Sequence, residues 1–545
     1  MISVAFAAVL LMIAVAQAIV YRQWINGDSI SYMDMGDAIS TGHVSGLINP
    51  HWSPLYPTLF GIVNAIWKPG PEWEFPAAHL TNFICFLFAA VSFHHLLRSV
   101  WSMLAGNNSG NAGFLPRWSF LVIGYSFFLY ASLGMIALMR NTPDLLLASS
   151  LYLSAACLIR IKNGASATKN FVFLGAALGL GYLAKGIMFP LGLFVIASTL
   201  LFAGPMRLRM TRTATTALAF AVLAIPLVTA ISRNAHRLAF SESGSLDYMF
   251  FVNRLDSYFQ NQSGVSGHAV HPVTKINENP PAYSFISPHN ATYSLWGQPF
   301  YWSEGLRPTF QIQRQIAVIL GALRGYARSL FRLAGVALTI LALCIFAGPR
   351  AAWRSLGPYW PIIAMSMALL CAYPIVNSKL EDRYIGAPIS VIGLALLYGL
   401  MTNVRLSPAA TTIVIAIVAI NLWVQSGINM RHDLRDNAEK ARRREAEAAL
   451  ALKQLGFAPA TRMAEISPWI SPGWARLTRS IIVAEVPKDQ AEGFWGLPKE
   501  RQASALNAFA AVGAKAVIGW IGGRKDVPAG WQRLGSSPYA LYQPR

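Results

Sequence analysis

Residues 27–57 read GDSISYMDMGDAISTGHVSGLINPHWSPLYP and follow an apolar segment, ISVAFAAVLLMIAVAQAIV, at 2–20. A run of that length spans the hydrocarbon core of a bilayer as a helix. The segment behind it carries Asp28, Asp34 and Asp37 within ten residues, then His51 and a WSPLYP turn, before the chain becomes apolar again. Only 24 of 545 residues are Asp or Glu. Three carboxylates grouped just outside a membrane span therefore call for a chemical explanation.

Composition decides the class. The chain is 54% hydrophobic and 12% charged, with a mean hydropathy of +0.42. Its apolar runs are too long for barrel strands, so a bundle of transmembrane helices is expected, since lipid satisfies no free backbone N–H or C=O. The net charge of +20 sits mainly in short connections and in the C-terminal region, which fits orientation in a membrane and attraction to lipid phosphates, not nucleic acid. Cys85, Cys157, Cys344 and Cys371 lie in apolar runs and read as packing residues.

Eleven spans are expected, at 2–20, 77–97, 118–138, 144–160, 170–184, 187–203, 214–232, 329–347, 358–376, 385–402 and 408–426. Loops bearing Arg98 and Arg117, Arg160 to Lys169, Arg207 to Arg212, Arg350 and Arg354, and Arg405 contain no acid. The positive-inside rule assigns them to the cytoplasm. The loops 21–76 and 233–328, the turns at Arg140–Asp144, Lys185 and 377–384, and everything after 427 then face the other side. In the first outer loop, Ile30, Met33, Met35 and Ile39, then Leu55, Leu59, Phe60 and Val63, mark two short amphipathic helices suited to the interface plane. The loop 233–328 is too long for a mere connector and reads as a lid or substrate-binding loop, ending in a basic amphipathic stretch at 310–330.

At 427 the composition changes. A charged helix ends at Gly456; short apolar strands follow at 462–466, 480–486 and 514–520, with a helix at 499–512 and a terminal hairpin. The alternation predicts a small α/β domain over 427–545, outside the membrane, behind a transmembrane domain over 1–426.

Five segments fall, in order, on the predicted outer face: GDSISY at 27–32, HWSPLYP at 51–57, RNTPDLLLA at 140–148, GYLAKGIMFP at 181–190 and EDRYIGAP at 381–388. Together they resemble the GT-C superfamily of integral-membrane glycosyltransferases, in the branch of the protein O-mannosyltransferases and aminoarabinose transferases. The likeness covers roughly residues 1–430. It implies Asp28 as the catalytic carboxylate with Tyr32 beside it, and further acidic candidates at Asp34, Asp37 and Asp144. It implies Lys185 and Arg383 as ligands of a donor phosphate, and Tyr56, Tyr384 and His51 near substrate. Some relatives carry a metal-binding Glu where His51 stands here, so no cofactor is assigned and a divalent metal stays open.

The resemblance implies transfer of a sugar from a polyprenyl-phosphate donor to an acceptor hydroxyl on a lipid, polysaccharide or protein, with inversion, at the outer face of a bacterial inner membrane. A transporter or flippase of lipid-linked sugars is the alternative; it favours inverted repeats and charges at mid-membrane, and neither stands out. Simpler roles compete at each residue. Asp28 caps a helix, Asp34 and Asp37 face water, Asp144 favours a helix N-terminus, Lys185 snorkels, Arg383 pairs with Glu381 or Asp382, and His51 packs.

Overall fold

The computed structural model describes residues 2–107, 116–164, 167–377, 380–402, 404, 406–441, 444–469, 472–524 and 526–544. Arg405 and residues 378–379 of the turn 377–384 lie outside them. Helices occupy all eleven expected positions. Among the described residues seven helices are long and apolar enough to cross a membrane, or up to nine if each of two bent pairs is one span: Ile312–Arg332 with Ala334–Ala347, at 82°, and Pro349–Leu356 with Trp360–Val376, at 87°. The helices at the other two positions, Thr168–Ala184 and Met188–Ser198, have 17 and 11 residues. The chain is a multi-pass membrane protein whose basic stretch, Ile312–Arg332, turns sharply away from the span it precedes.

One span breaks before it reaches the site. Helix Arg117–Phe128 widens into a π-helical stretch, Leu129–Ile136, and the chain then leaves helical geometry until Asp144. Free backbone groups at that depth need partners, and polar side chains on neighbouring helices supply them. Gln17 donates to the Leu133 carbonyl at 2.9 Å and accepts from the Leu138 N–H at 3.0 Å, while Asn82 donates to the carbonyls of Leu138 and Arg140 at 3.1 and 2.8 Å. Residues that look out of place in apolar runs thus fix the turn that delivers Asp144.

In the first outer loop, helix Gly27–Thr41 starts at Asn26, whose side chain accepts from the Ser29 N–H at 2.9 Å. Helix Leu55–Trp67 packs so closely on it that a Cβ on Gly61 would lie 2.4 Å from the Gly36 carbonyl oxygen. Part of their apolar surface is covered by protein, while Ile62, Ile66 and Trp67 of the second helix stay exposed. Ile30, Met33 and Phe60 are buried together with Phe75 and, from the C-terminal region, Ala449 and Leu477. Protein thus takes Ile30, Met33 and Phe60 of the apolar stripe that the sequence offers to the bilayer.

The C-terminal region has the predicted strands, Arg462–Ile466, Ile481–Val486 and Ala516–Trp520, paired in parallel. A hairpin, Gln532–Arg533 with Tyr539–Tyr542, extends one side antiparallel. On the other side the sheet recruits two strands of the long loop, Thr274–Glu278 and Pro281–Ser284, which complete seven strands. Helix Pro408–Ala441 runs without interruption from the last span into the charged stretch.

Candidate active site

Three span ends bring charged side chains together. Asp144 opens helix Asp144–Lys162, Lys185 caps the end of Thr168–Ala184, and Arg383 lies in the first turn of Asp382–Met401. Lys185 Nζ donates to Asp144 Oδ1 at 2.6 Å, and Thr142 donates to Asp144 Oδ2 at 2.7 Å. Arg383 reaches Asp144 at 3.5 Å, Asp28 at 3.4 Å and Glu381 at 2.9 Å. Tyr384 meets both cations, with Lys185 Nζ 4.1 Å and the Arg383 guanidinium 4.9 Å from its ring centre, a geometry in which the ring's electron-rich face meets positive charge. Asp144 is 2% and Arg383 8% exposed, so neither is a solvated surface charge.

Asp28 stands in the first turn of its helix, and Asn26 takes the capping role. Its Oδ1 accepts from the indole N–H of Trp296 at 3.0 Å and its Oδ2 faces Arg383. Tyr32 lies one turn along, its ring edge-on to Trp52 and Tyr56 at 5.0 and 5.3 Å. Burial, reinforced by Asp28 and Asp144, raises its phenol well above the usual range. His51 packs edge-on against Trp52 at 4.3 Å, and burial lowers its imidazole to about 4.

Asp28, Asp144, Lys185, Arg383, Tyr32, His51 and Tyr384 all line one cavity of about 1250 Å³. Asp34 and Asp37 do not. Both turn to Arg476 of the C-terminal region, which is 1% exposed and also binds Glu74. The expectation of solvated aspartates gives way here, because a buried guanidinium needs carboxylate partners. Burial outweighs Arg476 at Asp34 and raises its carboxyl; at Asp37 burial pulls the same way, but Arg476 and Arg479 prevail and lower it. Tyr56 is buried in the aromatic cluster behind Tyr32 and does not line the cavity.

Sequence reasoning missed Trp296 and Asp247, both of which line the cavity from the long loop. Burial, only partly offset by Lys185, pushes the Asp247 carboxyl up to about 7. The aromatic richness of the loop was the available signal, but it did not distinguish one Trp from another.

The whole chain superposes on 99% of ArnT from Cupriavidus metallidurans, with a TM-score of 0.55 and 13% identity for the structure bound to undecaprenyl phosphate. For the apo structure the values are 0.56 and 12%. The oligosaccharyltransferase of Archaeoglobus fulgidus, in a complex with Zn and sulfate, matches 94% of this chain and 68% of its own at a TM-score of 0.50 and 12% identity. The chain has the GT-C fold. No family model and no curated protein sequence matches it, so the likeness is one of GT-C architecture and not of close sequence kinship.

The zinc of the archaeal structure invites a test of the donor set here. Among the described residues no group of three or more His, Cys, Asp or Glu side chains is arranged to hold a metal ion. Asp34, Asp37 and Glu74 converge, but on Arg476, and His51 packs among indole rings. These residues do not fit a metal centre.

Proposed function

We propose that this protein is a membrane glycosyltransferase that moves a sugar from a polyprenyl-phosphate donor to an acceptor hydroxyl on the outer face of the membrane. The observation that carries the reading is the meeting of Asp28, Asp144, Lys185 and Arg383 in one cavity at the ends of three spans. A lipid-borne phosphate reaches that depth without leaving the bilayer. The GT-C fold, and a relative in fold crystallised with undecaprenyl phosphate, support a donor of that kind.

Lys185 and Arg383 bind the donor phosphate, and Asp144 holds both cations in place. As the acceptor oxygen bonds to the anomeric carbon, the bond from that carbon to the phosphate oxygen breaks. The electron pair leaves on the polyprenyl phosphate, where fixed cations in a water-poor site stabilise the growing charge. Asp28 takes the acceptor proton as general base, and Tyr32, His51 and Tyr384 shape the cavity beside it. A single displacement inverts the anomeric centre.

The test is transfer of radiolabel from a polyprenyl-phosphate sugar in membranes containing the protein or its Asp28→Asn variant. Label should pass to a new acceptor with the wild type and fall by about 10²–10⁴ with the variant, the usual contribution of a positioned base. Label that merely changes leaflet, equally with both proteins, would establish a flippase instead.

A further inference from the structure

The cavity has a second wall. Besides the helix ends it is lined by Glu485 of the sheet, by Pro487, Lys488 and Asp489 at the start of helix Lys488–Phe494, and by Asp256 and Tyr258 of the long loop. Glu485 is the unusual member. It sits on strand Ile481–Val486, is 8% exposed, and its Oε1 accepts from two phenols, Tyr258 at 2.8 Å and Tyr293 at 2.9 Å. Among the described residues its Oε2 accepts no hydrogen bond, and it is not one of the fully enclosed unsatisfied atoms. A buried carboxylate held by one oxygen, with the other left toward a cavity, is an unused acceptor that a ligand can satisfy.

The same short segment that holds Glu485 also holds the proposed base. Thr292 donates to Asp34 from its N–H and its hydroxyl, each at 2.8 Å; Tyr293 holds Glu485; and Trp296, one turn on, donates to Asp28. Residues 292–296 thus link Glu485 of the sheet to Asp28 and Asp34 of the first loop. The cavity volume of about 1250 Å³ exceeds the range of about 300–1,000 Å³ that suits one small ligand, leaving room for a second substrate beside a donor head group.

The chemistry of this wall selects its occupant. Among the described residues Asp256, Glu485 and Asp489 of the loop and the C-terminal region line the cavity beside the cation Lys488, so a phosphate next to them meets net repulsion. Tyr258 and Trp296 add aromatic faces, which suit the C–H face of a sugar ring while the carboxylates take its hydroxyls. We propose that Glu485 is an acceptor-binding residue whose Oε2 receives hydroxyl hydrogen bonds from a neutral, phosphate-free saccharide lying between the sheet and Asp28. The inference rests on the transferase reading of the same cavity and names its acceptor class.

Full-length protein in nanodiscs, supplied with radiolabelled undecaprenyl-phosphate hexose, is offered a neutral envelope polysaccharide fraction or a phosphoglycolipid fraction. Label should enter the polysaccharide. Glu485→Gln, which keeps the volume and an oxygen for the tyrosines, should raise the KM for polysaccharide about tenfold or more. The kcat and the affinity for undecaprenyl phosphate, read by tryptophan fluorescence, should stay within about twofold, and Glu485→Asp should restore part of the loss. An unchanged acceptor KM, a loss confined to donor affinity, or label in phosphoglycolipid alone overturns the inference. If Glu485→Gln does not fold, Tyr258→Phe removes one of the two hydroxyls aiming the carboxylate and should raise the same KM. Asp28→Asn, run alongside, separates the two readings: its loss of transfer with an unaltered KM in Glu485→Gln rejects the acceptor site alone, whereas transfer unaffected in Asp28→Asn, or absent from the wild type, rejects the transferase reading.

Discussion

Replacing Arg476 with Met should loosen the attachment of the C-terminal region to the helix that carries Asp28. Arg476 donates to Glu74 from Nε at 2.8 Å, to Asp34 and Asp37 from Nη1 at 2.7 Å each, and to Asp37 from Nη2 at 2.8 Å. Without it, Asp37 and Glu74 share only Arg479, which is 42% exposed, and Asp34 keeps only its hydrogen bonds from Thr292. Removing one partner of a buried ion cluster costs about 3–5 kcal/mol, because the remaining charges lose their compensation. Thermal unfolding of the detergent-solubilised protein, followed by tryptophan fluorescence at neutral pH, should show a clearly lowered midpoint. In the wild type the depressed Asp37 carboxyl contributes stability at neutral pH that is lost as the pH falls through its folded value. The raised Asp34 carboxyl acts in the opposite direction, losing stability as the pH rises through its folded value, so the readout is the gap between the two proteins. In the variant the crowded carboxylates favour protons, so stability falls as pH rises, and the gap between the two proteins should widen from pH 5 to pH 8. Adding Asp34→Asn and Asp37→Asn to Arg476→Met should recover much of the loss. A variant that melts with the wild type at every pH would refute the claim that this cluster holds the two parts together.

Other outcomes follow from the same structure. Lys185→Gln and Arg383→Gln should each weaken undecaprenyl-phosphate binding by about tenfold or more, measured by tryptophan fluorescence, while Asp28→Asn leaves that binding in place. Burial raises Glu485 to about 7 from 4.5. The folded state therefore retains a proton that the unfolded chain releases, and stability is lost as pH rises through about 7. Glu485→Gln removes that loss, so it should gain up to about 3 kcal/mol on the wild type at pH 8 and little at pH 4, read from melting curves at the two values. Gly61→Leu should destabilise the pair of outer helices by about 1–3 kcal/mol or more, since even a Cβ there meets the Gly36 carbonyl at 2.4 Å; a melting midpoint equal to the wild type's would contradict the packing described.

Much of the architecture was legible because bilayer-length apolar runs are unambiguous and because the cations and carboxylates of the cavity fall at their ends. Asp28, Asp144, Lys185 and Arg383 were each marked by a charge beside a span, and the structure brings them together. Asp34 and Asp37 carry the same mark, yet they face Arg476, more than four hundred residues away. Nothing in GWARLTRS signals a buried arginine, because its burial depends on carboxylates brought from the first outer loop and from Glu74. The covering of Ile30, Met33 and Phe60 was hidden for a related reason. A stripe of Ile, Met and Phe fits lipid and protein equally well, and the covering residues, Ala449 and Leu477, come from the other end of the chain. Likewise the hairpin at 274–284 was read as part of a polar lid, since a strand whose partner is Ile481–Val486 has no local pattern of its own to declare the pairing.

That hairpin has a consequence for how the molecule is made. The strands that flank Glu485 are synthesised almost two hundred residues apart, with several membrane crossings between them. Thr274–Ser284 must wait beyond the membrane with an unpaired edge until the last part of the chain has been threaded through and has folded against it. Such an edge is an invitation to wrong partners, and distant pairing is slow to form. The cavity walls can therefore close only after insertion is complete, and a ribosome stalled before residue 486 would leave in the membrane a set of spans with Asp28, Asp144, Lys185 and Arg383 in place but no finished chamber around them.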